Sequence, residues 1–242
     1  MTELPDAVLR YGDHADAVID VHLPAAATAR HTSGGGTQLV VLVHGGFWKA
    51  AWDRRHTRPL ARQLAEDGYV VATPEYRRVG DGGGWPTTCD DVRRALTALP
   101  GLLAAVDVVP ARTTLVGHSA GGHLGLWLAG EVSCDRVVAL APVCDLAEAA
   151  RLGLGARATQ AFMGGEPDVV DYAPADPMVR LSTRPTAEVV VLHGTRDDEV
   201  PVTLSRRLLQ RHPWIRLREL DCGHYELIDP GDPAYEVLRG SL

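Results

Sequence analysis

Short runs rich in valine and leucine alternate along this 242-residue chain with longer amphipathic stretches. Residues 40–43 and 189–192 are continuous apolar runs, as expected of central strands that are covered on both faces. Parallel strands need a crossover connection, usually a helix, so this alternation predicts an α/β fold with a mostly parallel central sheet flanked by helices. The length suits one large unit of this class, and we expect a single domain over residues 1–242.

The hydrophobic pattern also locates the individual elements. We predict strands at residues 17–23, 39–44, 70–74, 113–117, 136–141, 189–193 and 216–220, and helices at 59–67, 89–99, 120–130, 203–211 and 233–239. Glycine-rich loops are predicted at residues 31–37 and 80–86. Residues 143–185 form one extra unit with short helices near 146–152 and 157–163, where we expect a small cap over a pocket.

One strand-to-helix junction carries the sequence Gly117-His118-Ser119-Ala120-Gly121. A Gly-x-Ser-x-Gly pentapeptide between a strand and a helix is typical of a sharp turn that lifts the serine hydroxyl out of the sheet. Glycines on both sides leave room for the strand and the helix to approach each other. Such a turn also occurs without chemistry, so the assignment of Ser119 as a nucleophile depends on partners elsewhere in the chain.

A serine hydroxyl needs a base within hydrogen-bond reach and an acid that orients the base. In α/β folds with this turn, the acid and then the histidine follow the serine, each in a loop after a strand. Asp197 follows the strand predicted at 189–193, and His224 follows the strand predicted at 216–220. We therefore expect Ser119, Asp197 and His224 to form a catalytic triad.

Other acids and histidines compete for the two supporting positions. The rival acids are Asp145, Asp198 and Glu199. Asp197 lies nearest to its strand end, whereas Asp145 fits the N-cap of the following helix and Asp198 fits a solvated loop. The rival histidines are His44, His118, His193 and His212. The first three end strands and suit hydrogen bonds that hold loops, and His212 suits a surface position.

The segment His44-Gly45-Gly46-Phe47-Trp48 ends the strand predicted at 39–44. Acyl transfer needs preorganised N–H donors where the carbonyl oxygen becomes negative, and glycines let the backbone turn its N–H groups toward the site. We expect the N–H groups of Gly46, Phe47 and Ala120 to form an oxyanion hole. Ala120 also begins a predicted helix, whose dipole adds to the field.

These motifs resemble those of the α/β-hydrolase superfamily, and within it the small esterases that share a His-Gly-Gly-x-Trp motif with kynurenine formamidase. They span positions 44 to 224, most of the chain. The resemblance implies a serine hydrolase without a metal or organic cofactor. It leaves open a carboxylesterase for small acyl esters and an arylformamidase that hydrolyses N-formyl-L-kynurenine to kynurenine and formate. A non-catalytic binding protein with this fold is a third hypothesis.

Three tryptophans fall in loops near the expected mouth of the site. We expect Trp48, Trp52 and Trp85 to line a substrate pocket, with simple packing as the alternative. Arg77 and Arg78 could hold a substrate carboxylate, but an exposed charged pair is the preferred interpretation.

Composition narrows the partners. A net charge of −7 with dispersed basic residues argues against nucleic acid and anionic membranes, so we expect a small-molecule ester or amide substrate. No run approaches the roughly 18 apolar residues of a membrane span, and the first ten residues lack a secretory signal. The four cysteines form no Cys-x-x-Cys pair, and no cluster has metal-ligand spacing. We predict a reduced, cytoplasmic protein without metal, and a homodimer is compatible with the sequence.

Overall fold

A computed structural model describes residues 4–25 and 36–242. These residues form an eight-stranded sheet in the order β1-β2-β4-β3-β5-β6-β7-β8. The strands are β1 (Ala7–Arg10), β2 (Val18–His22), β3 (Thr37–Val43), β4 (Val70–Pro74), β5 (Pro110–His118), β6 (Arg136–Leu140), β7 (Glu188–Gly194) and β8 (Arg216–Leu220). β2 pairs antiparallel with β1 and β4, and the other neighbouring strands pair in parallel. The mostly parallel sheet is confirmed, and the loop predicted at 31–37 lies mainly outside the described residues.

Helices cover both faces of the sheet. They are α1 (Arg58–Glu66), α2 (Thr87–Ala104), α3 (Ala120–Leu128), α4 (Leu146–Arg151), α5 (Leu154–Met163), α6 (Pro177–Arg180), α7 (Thr203–Arg211) and α8 (Ala234–Arg239). Single 3-10 turns lie at Arg54–Thr57 and Glu226–Ile228. No helix within the described ranges is long and apolar enough to cross a membrane.

Alternate residues of β3 enter different hydrophobic clusters. Val41 and Val43 pack in a cluster with α2 and α3, whereas Val40 and Leu42 pack in a second cluster with α1 and α8. Successive side chains of a strand point to opposite faces, so a strand covered on both sides must be apolar at every position. This explains the continuous apolar run in the sequence.

The structure departs from the predicted elements at several places, and it adds the short helix α6 within the inserted unit. β1 was not predicted, because it is an edge strand of only four residues whose side chains alternate between half-buried and exposed. α2 continues to Ala104 through Pro100, although the prediction ended at residue 99. In α5, residues 155–157 have positive φ, so the regular helix begins at Ala158, close to the predicted start.

The inserted unit is attached to the segment after β3. Trp48 stacks on Phe162 of α5, with ring centroids 4.4 Å apart. Lys49 Nζ donates a 2.6 Å hydrogen bond to the carbonyl of Gly155. The backbone N–H of Trp85 donates to the carbonyl of Phe162 at 2.8 Å. The position of α5 is therefore coupled to the segment that we expect to form the oxyanion hole.

Candidate active site

Ser119 stands alone between β5 and α3 with φ 56° and ψ −116°. A positive φ is costly for a residue with a side chain, and such strain persists only where neighbours enforce it. The backbone N–H of Ser119 donates to Leu140 at 2.8 Å, and its carbonyl accepts from His123 at 3.0 Å. A Cβ on Gly117 would lie 2.1 Å from the carbonyl oxygen of Gly121, which explains the need for glycine there. The structure thus contains the sharp turn that the pentapeptide predicts.

Asp197 and His224 come together from the loops after β7 and β8. The Nδ1–H of His224 donates to Oδ2 of Asp197 at 2.6 Å. The other oxygen, Oδ1, accepts from the backbone N–H groups of Glu199 at 3.0 Å and Val200 at 2.8 Å. With Nδ1 engaged by the carboxylate, Nε2 is the ring nitrogen of His224 that remains available to a serine hydroxyl.

The carboxyl of Asp197 has no exposed surface. Burial raises its pKa, but hydrogen bonds from His193 and His224 outweigh that effect and hold the pKa well below its usual range. Asp197 is therefore ionised at neutral pH, and it can stabilise a positive charge on His224.

The three strand-end histidines hydrogen-bond to backbone carbonyls. His44 bonds to Gly45 at 2.9 Å, His118 to His224 at 3.0 Å and His193 to Val200 at 2.8 Å. These contacts agree with the loop-holding function expected for them. His193 additionally lies 3.3 Å from Oδ2 of Asp197, so this carboxylate has two histidine neighbours.

The backbone after β3 turns through three consecutive positive φ values, 99° at Gly46, 50° at Phe47 and 56° at Trp48. Within residues 4–25 and 36–242, the N–H groups of Gly46, Phe47 and Ala120 have no protein acceptor. Free N–H groups in such a turn, together with the first N–H of a helix, form a site suited to an anionic oxygen.

Ser119 and His224 line the same small pocket, together with Gly46, Phe47, Trp52, His56, His118 and Tyr225. About 40 Å³ of this pocket is open to water-sized groups. Trp52 and Tyr225 are 45% and 53% exposed, so they form its rim. Sequence reasoning did not find His56 or Tyr225. Tyr225 directly follows His224, and that adjacency was the only available signal.

The expectation for the other two tryptophans is wrong. Trp48 is fully buried against Phe162, and it does not line the pocket. Trp85 also lies outside the lining and packs edge to face against Trp127, with ring centroids 5.9 Å apart. Both provide contacts for packing because their rings meet other large side chains from elements distant in sequence.

Three charged or polar side chains are less exposed than the sequence predicts. Arg77 and Arg78 are not an exposed pair: Arg77 lies 2.7 Å from Asp91, and Arg78 is buried 2.6 Å from Glu75. His212 is buried, not at the surface, and Nε2 donates to the carbonyl of Met178 at 3.0 Å. In contrast, Asp145 caps α4 as predicted, accepting from the N–H of Glu148 at 3.0 Å, and Asp198 is exposed.

The family model BD-FAE matches residues 19–211. The chain belongs to the BD-FAE family. Among curated proteins, this BD-FAE member is 30% identical over 179 residues to the uncharacterized protein Rv2307c of Mycobacterium tuberculosis, covering 74% of this chain and 59% of that protein. It is 26% identical over 191 residues to the probable carboxylic ester hydrolase LipM of the same species, covering 71% of this chain and 44% of that protein. The chain thus spans 59% or less of the length of these relatives.

Solved structures resemble this BD-FAE member over nearly its whole length. A truncated carbohydrate esterase from gut microbiota superposes with a TM-score of 0.80 at 15% identity, covering 99% of this chain and 96% of the other. Esterase B from Lactobacillus rhamnosis superposes with a TM-score of 0.77 at 19% identity, covering 98% and 84%. At these identities the likeness concerns the fold, and the chain has the α/β-hydrolase fold.

Proposed function

We propose that this chain is a serine hydrolase that cleaves small carboxylic esters through an acyl-Ser119 intermediate. The observation that carries the proposal is the 2.6 Å hydrogen bond between His224 and Asp197, at a pocket that Ser119 also lines. The unpaired N–H groups of Gly46, Phe47 and Ala120 support it, since acyl transfer needs donors for a developing oxyanion.

In this mechanism, Nε2 of His224 accepts the proton of Ser119 Oγ while Oγ attacks the ester carbonyl. Asp197 orients the ring and stabilises the imidazolium, and the three N–H groups bind the oxyanion. Collapse of the tetrahedral intermediate expels the alcohol, which takes the proton from His224. Water activated by His224 then hydrolyses the acyl-enzyme and releases the acid.

Substrate size is the next element of the proposal. The pocket has about 40 Å³ of accessible space, which is room for only a few water-sized groups and supports a short acyl chain. The name of LipM, a carboxylic ester hydrolase, is in line with an ester substrate. The same small volume also favours a second candidate, an arylformamidase acting on N-formyl-L-kynurenine, because formyl is the smallest acyl group.

Comparing kcat/KM for p-nitrophenyl acetate, p-nitrophenyl butyrate and N-formyl-L-kynurenine separates the two candidates. An esterase should turn over both esters, with acetate preferred, whereas a strong preference for the formyl amide would reverse the ranking. Absence of any turnover in folded protein would favour the non-catalytic hypothesis.

Two variants assign the nucleophile. Ser119→Ala should reduce kcat for the acetate ester by about 10⁶-fold, as removal of the serine does in other triads. Ser182→Ala, at an exposed serine outside the pocket, is the matched control. A fluorophosphonate probe should label wild type and the Ser182 variant and leave the Ser119 variant unlabelled. Equal activity of the two variants would overturn the mechanism.

A cytoplasmic location is part of the same proposal. The cysteines Cys89, Cys134, Cys144 and Cys222 are all free thiols, which is the usual state of cysteines in reducing compartments.

A further inference from the structure

His56 lies in the pocket of Ser119 although it belongs to neither the triad nor the oxyanion hole. It sits on the 3-10 turn Arg54–Thr57, just after the rim residue Trp52. Its ring meets that of Trp52 edge to face at 5.5 Å and that of His44 at 5.6 Å. These contacts place the imidazole ring between His44 and the rim residue Trp52, at the wall of the pocket.

The protonation of the His56 ring follows from its surroundings. Nδ1 lies 2.5 Å from the backbone carbonyl of Asp53, and because a carbonyl can only accept, Nδ1 carries the hydrogen. Burial, followed by the nearby His44, lowers the pKa of His56, and this outweighs the opposing influence of Asp53 and Glu75. The ring is therefore neutral at pH 7, and Nε2 carries a lone pair.

That lone pair has no protein donor within residues 4–25 and 36–242. The neighbouring walls of the pocket include the rings of Phe47, Trp52 and Tyr225. His118 also lines the pocket, but its Nε2 donates to the carbonyl of His224, and its Nδ1 is a buried atom without an exposed surface. His56 thus offers a side-chain acceptor that the proposed reaction mechanism does not use.

We propose that Nε2 of His56 accepts a hydrogen bond from a hydroxyl group of the substrate, so that the preferred substrates are short-chain esters with a free hydroxyl near the scissile bond, as in partly acylated polyols. This inference rests on the proposed esterase function and specifies its substrate class. The hydroxyl takes no part in bond breaking, and His56 acts as a specificity determinant.

Two isosteric substrate pairs test the proposal, each exchanging one hydroxyl for a methyl. 2-Hydroxyethyl acetate against propyl acetate places the hydroxyl on the alcohol side, and methyl 3-hydroxypropionate against methyl butyrate places it on the acyl side. The readout is kcat/KM for the hydroxyl-bearing ester divided by kcat/KM for its methyl partner. This ratio is compared between protein variants. Because the ratio is compared across variants, both the intrinsic reactivity of the ester and any general change in activity cancel.

Substitution of His56 by asparagine or by glutamine distinguishes the roles of its two ring nitrogens. His56→Asn retains a donor near Nδ1 for the carbonyl of Asp53 but removes the distal acceptor, whereas His56→Gln places an amide oxygen near Nε2. For at least one pair, the ratio should fall about 10-fold in His56→Asn, the value of one hydrogen bond, and recover in part in His56→Gln. His14→Asn, at an exposed histidine outside the pocket, should keep the wild-type ratio.

An unchanged ratio in His56→Asn for both pairs, or an equal loss in the Asn and Gln variants, would overturn the role of Nε2. Hydrolysis of propyl acetate that disappears in Ser119→Ala upholds the proposed function whatever the ratios are. If folded protein turns over no ester, the proposed function fails, and binding to Ser119→Ala protein then tests His56. Tighter binding of 2-hydroxyethyl acetate than of propyl acetate, lost with His56→Asn, would support the proposal, and equal binding would overturn it.

Discussion

Glu75 and His44 form a 2.8 Å hydrogen bond between Oε1 and Nε2 directly beyond the ends of β4 and β3. Glu75 is 1% exposed, and it also contacts Arg78 at 2.6 Å and the backbone N–H of Arg54 at 3.0 Å. The same carboxylate therefore supports the start of the Gly46 turn and the segment that bears His56. It connects the two sides of the pocket without lining it.

Removing the charge of Glu75 should destabilise the protein. Glu75→Gln leaves the buried guanidinium of Arg78 without its closest counter-charge, and breaking a buried ion pair costs about 3 kcal/mol or more. Glu236→Gln, which removes an exposed pair with Arg239, is the matched control and should leave stability near wild type. Urea unfolding measures both, and equal free energies of unfolding would contradict the importance of the buried pair.

Glu75 should also make stability depend on pH. Burial raises its pKa, but the bond to His44 and the neighbouring positive groups lower it to about 2, below its ordinary value of 4.5. The unfolded chain then binds the proton more readily, so the stabilisation is complete above about pH 5 and is lost toward pH 2. The difference in unfolding free energy between wild type and Glu75→Gln should shrink by about 2 kcal/mol from pH 7 to pH 3. If the difference in unfolding free energy stays constant from pH 7 to pH 3, the titration of Glu75 does not contribute to the pH dependence of stability.

Adjacent aspartates provide a matched test of the triad acid. Asp197→Asn should lower kcat for p-nitrophenyl acetate by about 10⁴-fold, because an amide favours the wrong tautomer of His224. Asp198→Asn alters an exposed neighbour and should stay within about twofold of wild type, as surface changes usually do. Comparable losses in the two variants would argue against Asp197 as the residue that orients His224.

Alanine substitutions at Gly155 and Gly153 distinguish the effect of backbone strain from the effect of contact with Phe47 in the oxyanion segment. Their φ values are similar, 57° and 66°, but a Cβ on Gly155 would lie 2.6 Å from the ring of Phe47, whereas one on Gly153 meets nothing within 4 Å. Substituting alanine at either position should cost about 1 kcal/mol for the left-handed conformation. Only Gly155→Ala should also lower kcat, by about 10-fold or more, because it displaces Phe47 and its N–H group. Equal kcat values in the two variants would show that the Phe47 ring moves aside without displacing its N–H group.

Prediction succeeded where short-range sequence dictates local structure. The boundaries of β4 and β8 are the predicted ones, 70–74 and 216–220. The turn at Ser119 follows from its flanking glycines, since a side chain at Gly117 would meet the carbonyl of Gly121 only four residues away. These features need little information from distant parts of the chain.

Prediction failed where the environment of a residue is made by distant segments. Trp48 was expected at the pocket, but Phe162, more than one hundred residues further along the chain, covers it. Arg78 was expected to be exposed, but Asp16 and Glu75 surround it. Its burial depends on the pairing of β2 with β4, and no local pattern reports that pairing.

The sequence by itself determined the alternation of strands and helices, the strained turn at Ser119 and the order of Ser119, Asp197 and His224, because hydrophobic period and glycine sterics act over a few residues. Only the tertiary structure decided which side chains face Ser119. His56 and Tyr225 reach its pocket because the carboxyl ends of β3, β5 and β8 meet at one edge of the sheet. Strand order sets that convergence through contacts between residues far apart in the chain.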